Sequence, residues 1–222
     1  MISLRSSAIL SFGVTSGLAA IAAFFVVYFC LSHYSFGDFT GVVAIGLFIA
    51  NLYGILILIY RAFLMFFPLQ EGVIKPGSNL EFIYHFYLLH YLIFFYSLTK
   101  NRTIPIALMR LLYQLLGATF GDNSYCAGTI LDPPLTQIGS NTILGHDCVL
   151  FSHALESHRL PYHAAIYIGN HVAVGAKAII MAGVTIEDHA IVAAGAVVPK
   201  GTVIGKGELW AGVPARKIRN LL

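Results

Sequence analysis

Charge is scarce along this chain. Only 10% of its 222 residues are Asp, Glu, Lys or Arg, against about a quarter in an ordinary soluble domain, so a fold bathed in water on every side is not expected. Cysteine is scarce as well. Cys30, Cys126 and Cys148 share no C-x-x-C spacing, which leaves no metal-ribbon or redox motif, and all three read as reduced packing residues. Nor does a basic stripe interleaved with aromatics occur in the polar half. The net charge of +3 is therefore no nucleic-acid footprint, and nucleic acid is not an expected partner.

Apolar sequence is present in excess, at 58% of residues. Ala8 to Leu31 and Phe39 to Tyr60 carry no charge, and each exceeds the roughly 20 residues that cross a hydrocarbon core as a helix. The first run is too long for a signal peptide and no small-x-small cleavage site follows it. Both read as spans, about 8–31 and 39–60, forming a transmembrane hairpin. Arg5 precedes the first span, residues 32–38 hold no Lys or Arg, and Arg61, Lys75, Lys100, Arg102 and Arg110 follow the second. Positive residues mark the inner side, so both ends are expected in the cytoplasm of a bacterial-type inner membrane.

Residues 80–98 are rich in Tyr and Phe but broken by Glu81, His85 and His90, which are costly at a bilayer centre. An interfacial helix is the expectation, with a third span held in protein contacts as the alternative. A second amphipathic segment, about 105–116, leads to Gly117 as a helix stop. Residues 1–117 thus form a membrane anchor.

After the anchor the period changes to six. Ile168, Val174, Ile180, Ile186, Val192, Val198, Ile204 and Trp210 recur without a slip, and small side chains follow four residues later at Val172, Ala178, Val184, Ala190, Ala196 and Thr202. Neither a helix nor simple alternation has this period. It suits a chain that turns a corner after each short strand and sends one residue in six into a narrow triangular core. The same phase holds upstream at Phe120, Cys126, Ile138, Leu144 and Leu150, with Asp132 an exception beside Pro133-Pro134. Glu156 to Tyr167 breaks the rule and reads as a loop ejected from a corner, where sites gather.

The stretches IGNHVAVGAKAIIMAGVTIEDHAIVAAGAVVPKGT and AGVPARKIR, within Ile168 to Arg219, resemble the hexapeptide-repeat acyltransferases. Within that superfamily the repeats are similar to the maltose, galactoside and nodulation O-acetyltransferases. The order of helices, Leu-Leu-Gly-Ala and Asp-Pro-Pro-Leu-Thr-Gln-Ile-Gly resembles the membrane-embedded members associated with peptide-synthetase-like and surface-polymer enzymes. The resemblance implies a left-handed parallel β-helix over 118–222, a mixed fold overall, acetyl-CoA as co-substrate, no metal, and a homotrimer binding CoA between neighbouring subunits.

It also implies site residues. His153, in Phe151-Ser152-His153-Ala154, matches the histidine before the ejected loop and would act as general base, since imidazole titrates near neutral pH. Glu156 is the favoured carboxylate to orient it, with Asp147 the other choice. Ala176 and Ala194 match positions whose main chain contacts CoA, and Lys200, Arg216 and Arg219 match basic positions near its phosphates. His158 and His163 read as polar loop residues, and His171 and His189, one coil apart, as a surface ladder.

Two other functions fit the fold. A γ-carbonic-anhydrase-type metal enzyme would start well at Gly145-His146, yet Phe151 stands where that family's second histidine would fall. A non-enzymatic scaffold is the other. The expected acceptor is a hydroxyl on a membrane lipid or lipid-linked glycan, because a tethered enzyme raises the effective concentration of a tethered acceptor.

Overall fold

A computed structural model describes residues 4–100, 104–155 and 160–221. The chain forms two compact units: Met1–Pro68 with Glu81–Phe94, and Leu69–Leu80 with Phe95–Leu222.

The first unit is helical. Helix α1 spans Ser6–His33 and α2 Thr40–Phe66. Ala8, Ala19 and Ala23 of α1 are fully buried while Leu10, Leu18, Phe25 and Phe29 are exposed, so small side chains line the packed side and let backbones approach. On α2 the buried residues Leu56, Tyr60 and Leu64 fall four apart on one face. Helix α3 (Asn79–His90) brings Tyr87 to within 5.9 Å of Tyr60 and Phe86 to 3.9 Å from Phe63, ring centre to ring centre. Its His90 is completely buried, with Nδ1 2.9 Å from the Phe86 carbonyl and Nε2 3.3 Å from the Thr15 hydroxyl. Partners of this kind offset the cost of a polar ring among apolar helices. A π-helical turn, Tyr91–Phe95, joins α3 to α4 (Tyr96–Lys100). Three helical segments are long and apolar enough to cross a membrane: Ser6–His33, Gly37–Phe66 and Asn79–Lys100.

The second unit is a three-sided parallel β-helix. Its first face stacks β2 (Thr119–Phe120), β5 (Thr136–Ile138), β10 (Ile166–Ile168), β13 (Thr185–Ile186) and β16 (Val203–Ile204). The second stacks β3 (Tyr125–Cys126), β6 (Ile143–Leu144), β11 (Ala173–Val174), β14 (Ile191–Val192) and β17 (Glu208–Gly212). The third stacks β4 (Thr129–Ile130), β7 (Val149–Leu150), β12 (Ile179–Ile180) and β15 (Val197–Val198). Each two-residue strand sends one side chain in and one out. Val174, Ile180, Ile186, Val192, Val198 and Ile204 are at most 2% exposed, each worth about 1.5–3 kcal/mol when buried.

Close stacking leaves no room at some corners. A Cβ on Gly175 would lie 2.4 Å from the Ala194 backbone nitrogen, and one on Gly145 2.7 Å from that of Ala176. Corners also need left-handed residues, and Asn123, Asn141, Asp147, His171, Lys177 and His189 take φ of 55–61° there, as short polar side chains tolerate best. The imidazoles of His171 and His189 stack at 4.8 Å with a 2° tilt.

The six-residue phase slips once. On the third face Ile130 aligns with Leu150, although the period set by Phe120 and Cys126 points to Asp132. The Ala127-Gly128 turn is two residues shorter than the later corners, and the segment holding Pro133 and Pro134 restores the phase before β5. Cys126 and Cys148 are buried and free, and burial pushes the Cys126 thiol up to about 12 and that of Cys148 higher still.

Both ends of the stack are closed. Helix α5 (Ile106–Leu115) packs on the first coil, where the buried Tyr113 hydroxyl donates to the Gly128 carbonyl at 3.1 Å and accepts from the Ile130 N–H at 3.0 Å. At the other end β18 (Ala215–Asn220) pairs antiparallel with β17. There Glu208 binds Lys217, the Trp210 indole and the Gly205 N–H, and Lys217 followed by Trp210 holds its carboxyl down at about 2.

Candidate active site

Among the described residues the regular coil is interrupted once by an insertion, at the corner between the third and first faces. There β8 (His153–Leu155) and β9 (Pro161–His163) form an antiparallel hairpin. Strand β1 (Gly72–Val73), from the segment ahead of α3, pairs with β9 and completes a three-stranded sheet.

His153 stands at the first position of this hairpin, with its side chain 41% exposed. Its Nδ1 lies 2.7 Å from Oδ2 of Asp132, which is 3% exposed. Asp132 belongs to the same corner one coil earlier, and the slip of phase places it there. Its Oδ2 also accepts from the Ser152 N–H at 2.8 Å, and the Thr136 hydroxyl donates to its backbone carbonyl at 3.0 Å. One carboxylate oxygen thus meets both the His153 ring and the Ser152 N–H, while Thr136 holds the Asp132 backbone. The hydrogen bond to Asp132 raises the His153 pKa, desolvation opposes it, and the Asp132 charge adds to the rise.

The orienting carboxylate expected from sequence is Glu156 or Asp147. Glu156 lies outside the described residues, as does His158. Asp147 sits at another corner, between the second and third faces, 3.5 Å from His146 Nε2. Asp132 was visible only as a break in the repeat. An acidic residue where an aliphatic one is due, beside two prolines, was the available signal.

His163 pairs directly across the hairpin with His153 and is 1% exposed. Lys200, at the same corner two coils on, places its Nζ 4.8 Å from the centre of the Tyr162 ring. One corner therefore collects Asp132, His153, Tyr162, His163 and Lys200.

The other residues matched to cofactor contacts lie elsewhere. Ala176 and Ala194 are exposed at the corner between the second and third faces, adjacent in the stack, with the Gly195 N–H donating to the Ala176 carbonyl at 2.9 Å. Arg216 and Arg219 lie on the edge strand β18 and are exposed. Within one chain these groups do not converge with His153. A depression of about 490 Å³ on the outside of the first face, around Tyr167, contains none of them. Among the described residues no three His, Cys, Asp or Glu side chains converge as a metal site.

Comparison with known proteins agrees with this architecture. Residues 165–200 match the family described as bacterial transferase hexapeptide (six repeats). The galactoside O-acetyltransferase of Escherichia coli (strain K12) is 34% identical over 99 residues, 42% of this chain and 48% of that protein. Gamma carbonic anhydrase 1, mitochondrial, of Arabidopsis thaliana is 37% identical over 86 residues, 39% of this chain and 26% of that protein. The matches thus span between a quarter and a half of those relatives. The crystal structure of a maltose O-acetyltransferase from Clostridium difficile 630 superposes with a TM-score of 0.50 at 18% identity, covering 69% of this chain and 95% of that one, a likeness of fold. Residues 165–200 thus carry the repeat that this family model describes, and the three-sided parallel stack extends the same architecture over the coils on either side.

Proposed function

We propose that this protein is an acetyl-CoA-dependent O-acetyltransferase whose general base is His153. The observation that carries the reading is the His153–Asp132 pair at the one corner where the coil is interrupted by a hairpin. An imidazole whose Nδ1–H is given to a carboxylate keeps the lone pair of Nε2 for a proton. In the reaction the acceptor oxygen attacks the thioester carbonyl carbon as its proton passes to His153 Nε2. The carbon–sulfur bond then breaks, and the proton moves on to the departing CoA sulfur. The charge on Asp132 stabilises the imidazolium formed between these steps.

Acetyl-CoA is the co-substrate in this reading, and the likeness to a galactoside O-acetyltransferase supports acetyl as the group transferred. Its pantetheine arm lies along the corner of Ala176 and Ala194, where exposed small residues leave the backbone approachable, and Lys200, Arg216 and Arg219 meet its phosphates. Because these groups are spread over two corners and an edge strand, a site shared between subunits suits them better than one within a chain, which supports a homotrimer.

The acceptor is a hydroxyl on a membrane lipid or lipid-linked glycan. Helices α1 and α2 cross the bacterial-type inner membrane, and the β-helix lies on the cytoplasmic side with acyl-CoA. The pairing of β1 with β9 supports two crossings over three. Residues before and after α3 are joined in one sheet, so they share a side of the bilayer, and a single helix between them does not cross it. Helix α3 then packs against α1 and α2 without crossing, its buried His90 held against Thr15.

The test is transfer of labelled acetyl from acetyl-CoA to membrane lipids or glycans by the full chain. Replacement of His153 by Ala lowers it by about 10² to 10⁴; unchanged turnover overturns the assignment. The similarity to a γ-carbonic anhydrase makes a metal enzyme the second reading. Stoichiometric zinc in the purified chain, with hydration of carbon dioxide, would favour it.

A further inference from the structure

The hairpin that presents His153 carries a second histidine that the chemistry above does not use. His163 is 1% exposed, so it cannot touch an acceptor. It lies between two strands: in register with His153 of β8 on one side and with Gly72 of β1 on the other. Residues directly opposite across antiparallel strands project on one face, with Cβ atoms about 4.5–5.5 Å apart. The two imidazoles therefore share a face, and Asp132 acts on both.

We infer that His163 is a positioning residue that sets the orientation of the His153 ring and ties it to the segment Leu69–Ile74. This rests on His153 being the base. His163 donates a ring N–H to the backbone carbonyl of Gln70. The same segment is bonded once more where the Ile74 N–H donates to the Pro161 carbonyl at 2.8 Å, and the Ala164 N–H donates to the Ser152 carbonyl at 2.9 Å. The strand opposite His153 is thus fixed at both ends and from outside.

The charge state of His163 follows from its place. Desolvation lowers its pKa, the Asp132 charge opposes this, and His153 lowers it further. A neutral His163 leaves Asp132 to a single cation, the imidazolium of His153. A charged one would compete for the same carboxylate, since like charges this close disfavour each other. His163 thereby provides bulk and a hydrogen bond without a rival charge.

The experiment uses the full chain in detergent or nanodiscs, with three variants. His163→Leu keeps volume and loses the N–H; His163→Asn keeps a neutral N–H donor; His153→Ala tests the base itself. The expected result is a fall in kcat of about tenfold for His163→Leu with KM for acetyl-CoA unchanged. His163→Asn recovers most of it. The ¹⁵N shifts of the labelled His153 ring move in His163→Leu and return in His163→Asn. Unaltered His153 shifts and kcat in His163→Leu overturn the inference, as does a loss in which Asn and Leu are equally impaired. If His153→Ala retains full turnover while the ring shifts respond as described, the base assignment falls and the positioning role stands.

Discussion

Asp132 Oδ2 accepts both the His153 Nδ1 proton and the Ser152 backbone N–H, at 2.7 and 2.8 Å. One oxygen thereby fixes the side chain and the backbone of the strand that enters the hairpin. Replacement by Asn keeps the shape and removes the charge. Because the Asp132 hydrogen bond is the leading cause of the raised His153 pKa, and the proposed base must be neutral to act, activity in the parent is expected to rise with pH through a midpoint above that of ordinary imidazole. Asp132→Asn moves that midpoint to lower pH and reduces kcat by about two orders of magnitude. A pH–rate profile checks both, and a profile unmoved by the variant would separate the carboxylate from the chemistry. The linkage to stability has a fixed sign: the pair stabilises the fold below the unfolded imidazole pKa, and the gain is lost as pH rises through the raised folded value.

Tyr113 joins α5 to the first coil by two hydrogen bonds of its hydroxyl, to Gly128 and from Ile130. Tyr113→Phe leaves the buried Ile130 N–H without that acceptor, at a cost of about 1–3 kcal/mol. Thermal unfolding of the variant is expected several degrees lower. A fragment that begins at Leu115 loses Tyr113 altogether and is expected to be less stable than one that begins at Ile104.

Gly145 has no space for a side chain, since its Cβ would press on the backbone of Gly175 and Ala176. Gly145→Ala therefore shifts the corner assigned to the pantetheine arm. The expected outcome is a several-fold rise in KM for acetyl-CoA with a smaller change in kcat, measured by initial rates. An unchanged KM in a folded variant would place the cofactor elsewhere.

The mass of the full chain in detergent is expected to be that of three copies, by light scattering with the detergent contribution subtracted. Mixing His153→Ala chains with Arg216→Ala chains would restore part of the activity if each site draws on two subunits. A fully active monomer contradicts the shared site.

The proposed two crossings would place Ser35 outside and Ser78 with the C-terminus inside. Cysteines introduced at Ser35, Ser78 and Asn220 are expected to react with an impermeant thiol reagent in intact cells only at 35. Reaction at Asn220 but not at Ser78 would mean that α3 crosses and that β1 does not pair with β9 in the membrane.

The β-helix was legible because each coil repeats the same demand. An aliphatic residue must enter the triangular core every sixth position, as at Val174, Ile180 and Ile186, and this period is written directly in the chain. The two apolar runs were legible for a similar reason, since length and absence of charge are one-dimensional properties. The His153 position was readable through the break in the repeat that follows it. Its partner was not. Asp132 meets His153 only because a shortened turn at Ala127-Gly128 slips the third face by two residues, so that Asp132 leaves the core phase and enters the corner beneath Ser152. The antiparallel register that sets His163 opposite His153, and the return of Gly72 from the far side of α3, likewise join residues distant in sequence. Periodicity reports what each residue needs from the core, and the sequence alone determined that much. Which polar groups face one another at a corner depends on how successive coils are offset, and only the tertiary structure decided it.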